Sequence, residues 1–358
     1  MPRLDVAADH PLLVRVLRDP DQLRSLSHHQ VSRVIDAAER ARLLGWLLSE
    51  IDARQVPRDP PEWLADRLVT VRAVVRECER ALRWEIDRLD RAFTGSRLPW
   101  VLLKGAAYVA AALPPGRGRQ VADIDVLVPH ARLDDAERLL NLQGWRVGDL
   151  DAYDERYYRT WMHELPPMTH AQRRSVVDVH HAILPRTSQL HPSAARLLSM
   201  AVLLGGDVRV LCPAHMVLHA AAHLFHDGEI TGAIRDVVDL DRLLRHFGTS
   251  PDFWGALVHE AQELELTRPL YYALRYSQRM LGTPVAPAAL EAAARWAPPA
   301  PVLWRMDGLV ARAVPVTSVR MAPAAAFALY VRSHWLRMPP SLLFPHLLRK
   351  SLRRHKAS

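Results

Sequence analysis

The run VADIDVLV at residues 121–128 constrains this chain more than any other segment. Side chains alternate along a β-strand, so Asp123 and Asp125 lie on one face while Ile124 and Val126 fill hydrophobic space. Two carboxylates so placed repel each other unless a cation lies between them. Mg²⁺ prefers oxygen ligands and is usually held by one or two carboxylates together with substrate phosphates. This strand therefore predicts a magnesium site.

A third carboxylate lies in a second strand-like run, SVVDVHHAI at residues 175–183. Its alternation puts Asp178 and His180 on one face. If the two strands are neighbours, Asp178 joins Asp123 and Asp125 as a ligand for one or two divalent ions. The alternative, in which Asp178 caps an edge strand or pairs with an arginine, stays open.

The turn VLLKGAA, about twenty residues before the acidic strand, suits a phosphate. A helix that begins after Gly105 offers backbone amides and the positive end of its dipole, and glycine permits close approach. We therefore predict nucleotide-phosphate contacts from Lys104, Gly105 and Ala106. Arg119, in the loop before the acidic strand, is a further candidate to clamp a triphosphate, although loop arginines are commonly only solvated.

A later segment, HMVLHAAAHLFHDG, carries four histidines on one face of an amphipathic helix. They recur at spacings of four, four and three residues and are followed by an aspartate: His215, His219, His223, His226 and Asp227. One interpretation is a transition-metal hydrolase site. We favour a second interpretation, in which the helix lines the cleft opposite the aspartates. The cleft-lining candidates are His223, His226 and Asp227 of this helix, together with His180 of the strand-like run.

Apolar periodicity predicts an α+β fold. Spacings of three and four residues over 20–51 and 61–93 are typical of helices, the period becomes strand-like from residue 100, and the helical pattern returns at Pro213. We expect a core of short strands flanked by helices. The predicted divisions are an N-terminal helical region at 1–97, the α/β core at 98–190, and a large C-terminal helical domain with a basic tail at 191–358.

Composition and charge limit the predicted cellular compartment and the predicted partners. The chain has 358 residues and only two cysteines, so a disulfide framework is not expected and a reducing cytoplasm is the predicted location. No run is long and apolar enough to predict a membrane span, and the N-terminus lacks the apolar segment of a signal peptide. The net charge of +8 and the basic tail raise contact with nucleic acid as a secondary option, against a simply solvated terminus.

The runs LLKGAA, VADIDVLV, VVDVHH, HLFHDG and RDVVDLDRLLR together resemble the uncharacterised nucleotidyltransferase family of the DNA polymerase β-like superfamily. The resemblance covers roughly residues 20 to 290. It implies a small mixed β-sheet core flanked by helices. It also implies transfer of a nucleoside monophosphate from an NTP, with Mg²⁺ or Mn²⁺ held by Asp123, Asp125 and Asp178. The chain departs from the superfamily where alanine follows Gly105 in place of serine or glycine, and where His181 replaces an aromatic residue.

The resemblance implies an enzyme that uses an NTP and an unidentified acceptor. The acceptor would carry a hydroxyl or similar group and could be a small molecule, a natural product, a peptide or a protein. Two other functions stay open at this stage. One is a metal-dependent phosphohydrolase that uses the histidine-rich helix, and the other is a nucleotide-binding module that has lost catalysis.

Overall fold

The computed structural model describes residues 12–149, 155, 158, 160–227, 233–314 and 323–338. These residues form a seven-stranded mixed sheet surrounded by helices, which confirms the predicted α+β class. Buried apolar side chains make one continuous cluster, which runs from Leu13 near the N-terminus through the sheet to Leu329 near the end of the described chain.

Four helices precede the sheet: α1 (Leu12–Arg18), α2 (His28–Arg40), α3 (Leu44–Arg54) and α4 (Glu62–Phe93). A reciprocal cap begins α2, because the Ser27 side chain accepts from the Gln30 backbone while the Gln30 side chain accepts from the Ser27 backbone. Such caps satisfy amides that have no partner inside the helix. The helical pattern predicted over 20–51 is thus present, with a break at Arg42, which has a positive φ of 55°.

The strands are short and their order in the sheet is β3-β4-β5-β2-β1-β7-β6. They are β1 (Val101–Leu102), β2 (Asp123–Leu127), β3 (Trp145–Val147), β4 (Met168–His170), β5 (Val176–His180), β6 (Val202–Gly205) and β7 (Val208–Val210). Connecting helices are α5 (Lys104–Ala110), α6 (Leu133–Leu142) and α7 (Ala194–Ser199). Because β7 pairs with β1, the sheet extends past residue 190, the predicted end of the core.

Strand β2 lies at the centre of the sheet, between β1 on one side and β5 on the other. It pairs antiparallel with β1 and parallel with β5. The side chains of Ile124 and Val126 are buried, as their alternation with the aspartates predicts. The two acidic runs identified in the sequence are therefore direct neighbours.

Helices dominate the rest of the described chain: α8 (Pro213–Ala222) with a π-helical turn (His223–Asp227), α9 (Ile234–Phe247), α10 (Phe253–Glu263), α11 (Thr267–Leu281), α12 (Pro287–Ala294), α13 (Ala300–Ala313) and α14 (Pro323–Arg337). Helix α8 is buried over most of its length and contacts α9, α10 and α11. Within the described residues, none of the helices has both the length and the apolar character needed to cross a bilayer.

Two glycines join the N-terminal helices to the loop that leads into β2. Gly45 lies in the first turn of α3, and Gly118 has a positive φ of 64°. A Cβ on either residue would overlap the backbone of the other. The contact therefore depends on both side chains being absent, and it fixes α3 against the segment just before the acidic strand.

Candidate functional site

The parallel pairing of β2 with β5 sets the geometry of the site. Asp125 is the register partner of Asp178, and Asp123 is the partner of Val176. Paired residues on adjacent strands point to the same face of a sheet, and so do residues two apart on one strand. The structure therefore brings Asp123, Asp125 and Asp178 to one face, with Asp123 exposed and Asp125 only 5% exposed.

Asp125 is held by two donors. Its Oδ1 accepts a hydrogen bond from Lys104 Nζ at 2.8 Å and another from His180 Nε2 at 2.8 Å. Burial by itself would raise the pKa of Asp125, but the charge of Lys104 and the hydrogen bond from His180 together lower it below its ordinary value. Asp125 is therefore a carboxylate at neutral pH.

Asp178 has a different environment, although it lies on the adjacent strand. Its Oδ1 is buried and has no hydrogen-bond partner among the described residues. Burial raises the pKa of Asp178 to about 7, and the nearby carboxylates of Glu164 and Asp125 add to the effect. Asp178 can therefore take up or release a proton near neutral pH.

The predicted phosphate turn is tied to the same strand. Lys104 begins α5 with a positive φ of 44°, and the backbone amide of Leu103 donates to the carbonyl of Asp125 at 2.9 Å. Gly105 and Ala106 follow as buried residues of the first turn. A Cβ on Gly105 would lie 2.7 Å from Arg119 Nε, so glycine here makes room for the arginine side chain.

Arg119 lies behind this turn and joins the sheet to the C-terminal helices. Its guanidinium forms an ion pair with Asp239 of α9 and lies 5.3 Å from the centre of the Tyr108 ring. The side chains of Arg119 and Asp239 are 11% and 8% exposed. The structure thus places Arg119 beside Gly105 with its charge already paired, and its contact with phosphate stays a prediction.

The histidines of the histidine-rich helix contact different residues. His215 Nε2 lies 2.8 Å from Glu260 Oε2, and His226 Nε2 lies 2.8 Å from Ser188 Oγ. Among the described residues these histidines do not come together as a group of three metal ligands. The helix therefore lacks, over its described part, the clustered ligands on which the hydrolase interpretation depends.

Burial lowers the pKa of His223 to about 3, and the charges of Lys104 and Asp125 are the next influences. The place of His223 in the cleft stays a prediction. His226 has Ser188 as its hydrogen-bond partner, and its place as a cleft-lining residue stays a prediction. The side chain of Asp227, also predicted to line the cleft, lies outside the described residues.

Sequence reasoning missed two residues next to the site, His163 and Glu164. The segment 163–165 runs antiparallel along the end of β5, with Glu164 opposite His180 and the Leu165 amide donating to the Val179 carbonyl at 2.8 Å. Glu164 Oε2 lies 3.3 Å from His180 Nδ1. The run MHELPP carries no apolar alternation, and its adjacent histidine and glutamate were the one signal available.

The three aspartates suit a hard divalent cation. They supply only oxygen donors, they share one face of the sheet, and Asp178 Oδ1 has no hydrogen-bond partner within the described part of the chain. Mg²⁺ and Mn²⁺ favour carboxylate oxygens of this kind. The residues present therefore fit a divalent ion in donor type. Among the described residues the three aspartates do not come together as a group of three metal ligands, so binding requires the carboxylates to move closer to one another.

Comparison with known proteins gives one family. Its model, described as an uncharacterised nucleotidyltransferase, matches residues 27–282, a span that contains every residue of the site described above. No curated protein matches the chain. The family match confirms the resemblance carried by the acidic strands and the Lys-Gly turn.

Proposed function

Because the chain belongs to the uncharacterised nucleotidyltransferase family, we propose that it transfers a nucleoside monophosphate from an NTP to a hydroxyl-bearing acceptor in a Mg²⁺- or Mn²⁺-dependent reaction. The observation that carries the proposal is the in-register pairing of Asp125 with Asp178 on parallel strands, on the face that also holds Asp123. Carboxylates on one face of neighbouring strands are a usual means of holding the metal of a phosphoryl-transfer site, and a bound ion would draw these three closer together.

Asp123, Asp125 and Asp178 would hold the divalent ion. When bound, such an ion neutralises phosphate charge and makes an acceptor hydroxyl more acidic. Lys104 keeps Asp125 ionised through the 2.8 Å hydrogen bond, so metal binding at this carboxylate requires no loss of a proton.

Asp178 is the proposed proton acceptor. Its pKa of about 7 matches the requirement for a general base that works near neutral pH. In the transfer step the acceptor oxygen forms a bond to the α-phosphorus, the bond from that phosphorus to the pyrophosphate oxygen breaks, and the acceptor proton passes to Asp178. Its role as a metal ligand competes with this one, because a bound cation lowers the basicity of the carboxylate.

Positive charge beside the site would stabilise the departing pyrophosphate. Lys104, Gly105 and Ala106 form the turn proposed to contact the phosphates, with Lys104 as its cationic group. Arg119 lies directly behind Gly105 but is paired with Asp239. Contact with a triphosphate therefore requires Arg119 to exchange the Asp239 carboxylate for phosphate oxygens.

The experiment uses α-labelled NTPs, Mg²⁺ and a panel of small-molecule, peptide and protein acceptors. We expect label transfer by the wild type, loss of transfer in Asp125→Ala, and normal transfer in Asp149→Asn, which removes an exposed carboxylate outside the site. Transfer undiminished in Asp125→Ala would overturn the proposal. NTP binding measured by calorimetry, with no transfer to any acceptor, would favour a catalytically inactive binding module.

A further inference from the structure

A second cluster of potential ligands lies next to the aspartates and is chemically different from them. His163, Glu164 and His180 each offer one ligand atom, and these three atoms lie within 4.8 Å of one another. The ring centres of His163 and His180 are 5.2 Å apart. Two imidazole nitrogens and one carboxylate oxygen form a mixed nitrogen and oxygen donor set, in contrast to the oxygen donors of the aspartates.

Both histidines are enclosed, and within the described part of the chain each keeps a ring nitrogen without a partner. His163 is 6% exposed and His180 is 2% exposed. Among the described residues, neither His163 Nδ1 nor His180 Nδ1 has a hydrogen-bond partner. Buried polar atoms are nearly always satisfied, so two unsatisfied nitrogens in one small cluster call for an explanation.

The hydrogen bond to Asp125 orients the His180 ring. Because His180 Nε2 lies 2.8 Å from Asp125 Oδ1, a carboxylate that only accepts, the Nε2 proton points to Asp125. In the neutral ring this leaves a lone pair on Nδ1, which lies 3.3 Å from Glu164 Oε2. A lone pair and a carboxylate that face each other repel, and a shared cation would remove that repulsion.

We propose that His163, Glu164 and His180 form a binding site for a divalent transition metal ion of the zinc class. Two imidazoles and one carboxylate, with a coordination position left open, are a known ligand set for zinc, and imidazole favours such metals over Mg²⁺. A ligating histidine commonly donates its other ring proton to a carboxylate, the part that Asp125 plays for His180. The proposal does not rest on nucleotide transfer, because none of the three residues belongs to the proposed magnesium ligands.

A metal at this position would fasten the segment 163–165 to the end of β5. That segment already pairs with β5 through the Leu165 amide and through the His181 amide, which donates to the His163 carbonyl at 2.8 Å. Side-chain ligation would add a link between the same two stretches of chain. The bound ion should therefore raise thermal stability, since a ligand that binds only the folded state stabilises it.

The test is to free the full chain of metal with a chelator, titrate it with Zn²⁺, and measure the ion retained after dialysis by elemental analysis. Absorption of a Co²⁺-substituted sample reports nitrogen ligation independently. We expect one retained equivalent per chain, a Co²⁺ spectrum typical of low coordination number, and a rise in melting temperature on addition of Zn²⁺. His163→Gln and Glu164→Gln should each weaken binding by at least about ten-fold.

Two control variants separate this site from other sources of zinc binding. His29→Gln removes an exposed imidazole, and Asp123→Asn removes a carboxylate of the proposed magnesium site. Both should retain the Zn²⁺ equivalent, whereas only Asp123→Asn should weaken Mg²⁺-dependent NTP binding. Failure of the wild type to retain Zn²⁺, or retention undiminished in folded Glu164→Gln, would overturn the proposal. Glu164 has a partly exposed side chain, so its variant keeps the test valid if His163→Gln does not fold.

Discussion

Lys104 Nζ and Asp125 Oδ1 lie 2.8 Å apart, and that carboxylate oxygen also accepts from His180 Nε2 at 2.8 Å. One oxygen atom therefore connects the start of α5, the central strand β2 and the end of β5. The pairing also keeps Lys104 charged. Burial by itself would lower the pKa of Lys104, but the nearby carboxylates, Asp125 first, raise it above its ordinary value. The site is thus built around a charge pair that also contributes to the fold.

Removing one member of this pair should be destabilising. Asp125→Ala leaves the Lys104 ammonium without its carboxylate, and breaking a buried pair in this way costs about 3–5 kcal/mol, with the lower end expected here because Lys104 is partly exposed. The double variant Lys104→Met/Asp125→Leu should be closer to wild type than Asp125→Ala. Urea unfolding of the wild type, Lys104→Met, Asp125→Leu and the double variant measures the coupling, and strictly additive losses would show that the two residues are independent.

Asp178 should make stability depend on pH. An acid with a pKa of about 7 in the folded protein and 3.8 when unfolded binds its proton more tightly in the folded state, so its contribution is lost as the pH rises toward about 7. We expect Asp178→Asn to raise the melting temperature in chelator-treated protein, by more at pH 8 than at pH 5. Added Mg²⁺ should stabilise the wild type more than this variant. A gain in stability that is the same at both pH values would contradict the assignment.

The ion pair between Arg119 and Asp239 should control the availability of the arginine for phosphate. Asp239→Asn weakens the pair, and a freed guanidinium that contacts phosphate contributes roughly 1.5–3 kcal/mol, so Mg²⁺-dependent NTP binding should tighten by about ten-fold or more. Arg119→Met should weaken it. Asp307→Asn, which removes the partner of Arg275 on other helices, is the matched control and should leave NTP binding unchanged. Calorimetric titration separates the cases, and equal affinities in all three variants would exclude Arg119 from the nucleotide site.

The contact between Gly45 and Gly118 should tolerate no side chain. Gly118→Ala combines a positive φ of 64° with overlap against the Gly45 backbone. Gly282→Ala, with a φ of 66° and nothing within 4 Å of the added Cβ, carries the conformational strain alone. Strain costs about 1 kcal/mol at such positions, so Gly282→Ala should be mildly destabilising and Gly118→Ala clearly more so. Similar melting temperatures for the two variants would show that the backbones of Gly45 and Gly118 can move apart at little cost in stability.

The sequence was most informative where side-chain alternation and burial agree. VADIDVLV forms β2 and VVDVH forms β5, as predicted, because each strand buries one face of valine or isoleucine and leaves aspartate on the other. The hairpin of β6 and β7 was not predicted, although VLLGGDVRV places Gly205, Gly206 and Asp207 between two apolar runs. Its exposed residues, among them Leu203, give little sign of belonging to the central sheet.

Local sequence patterns did not predict which residues distant in the chain become contact partners. Lys104 was predicted to meet phosphate, and the structure gives it Asp125, which is distant by 21 residues in the chain. Glu164 and His163 went unrecognised because their position beside His180 is set by the antiparallel return of the chain along β5. Periodicity predicts which face a side chain occupies, but it does not determine which strand lies next to it.

Strand β5 carries Asp178 and, two residues later, His180, so one five-residue segment serves both the proposed magnesium ligands and the proposed zinc ligands. Sliding that strand along its neighbour by a single step would turn both side chains away at once, since the alternation of a strand is fixed. The positions of the two groups of ligands are therefore coupled through this strand. Mutations that change the register or packing of β5 in the sheet, even at its apolar positions Val177 and Val179, should therefore impair both sites together.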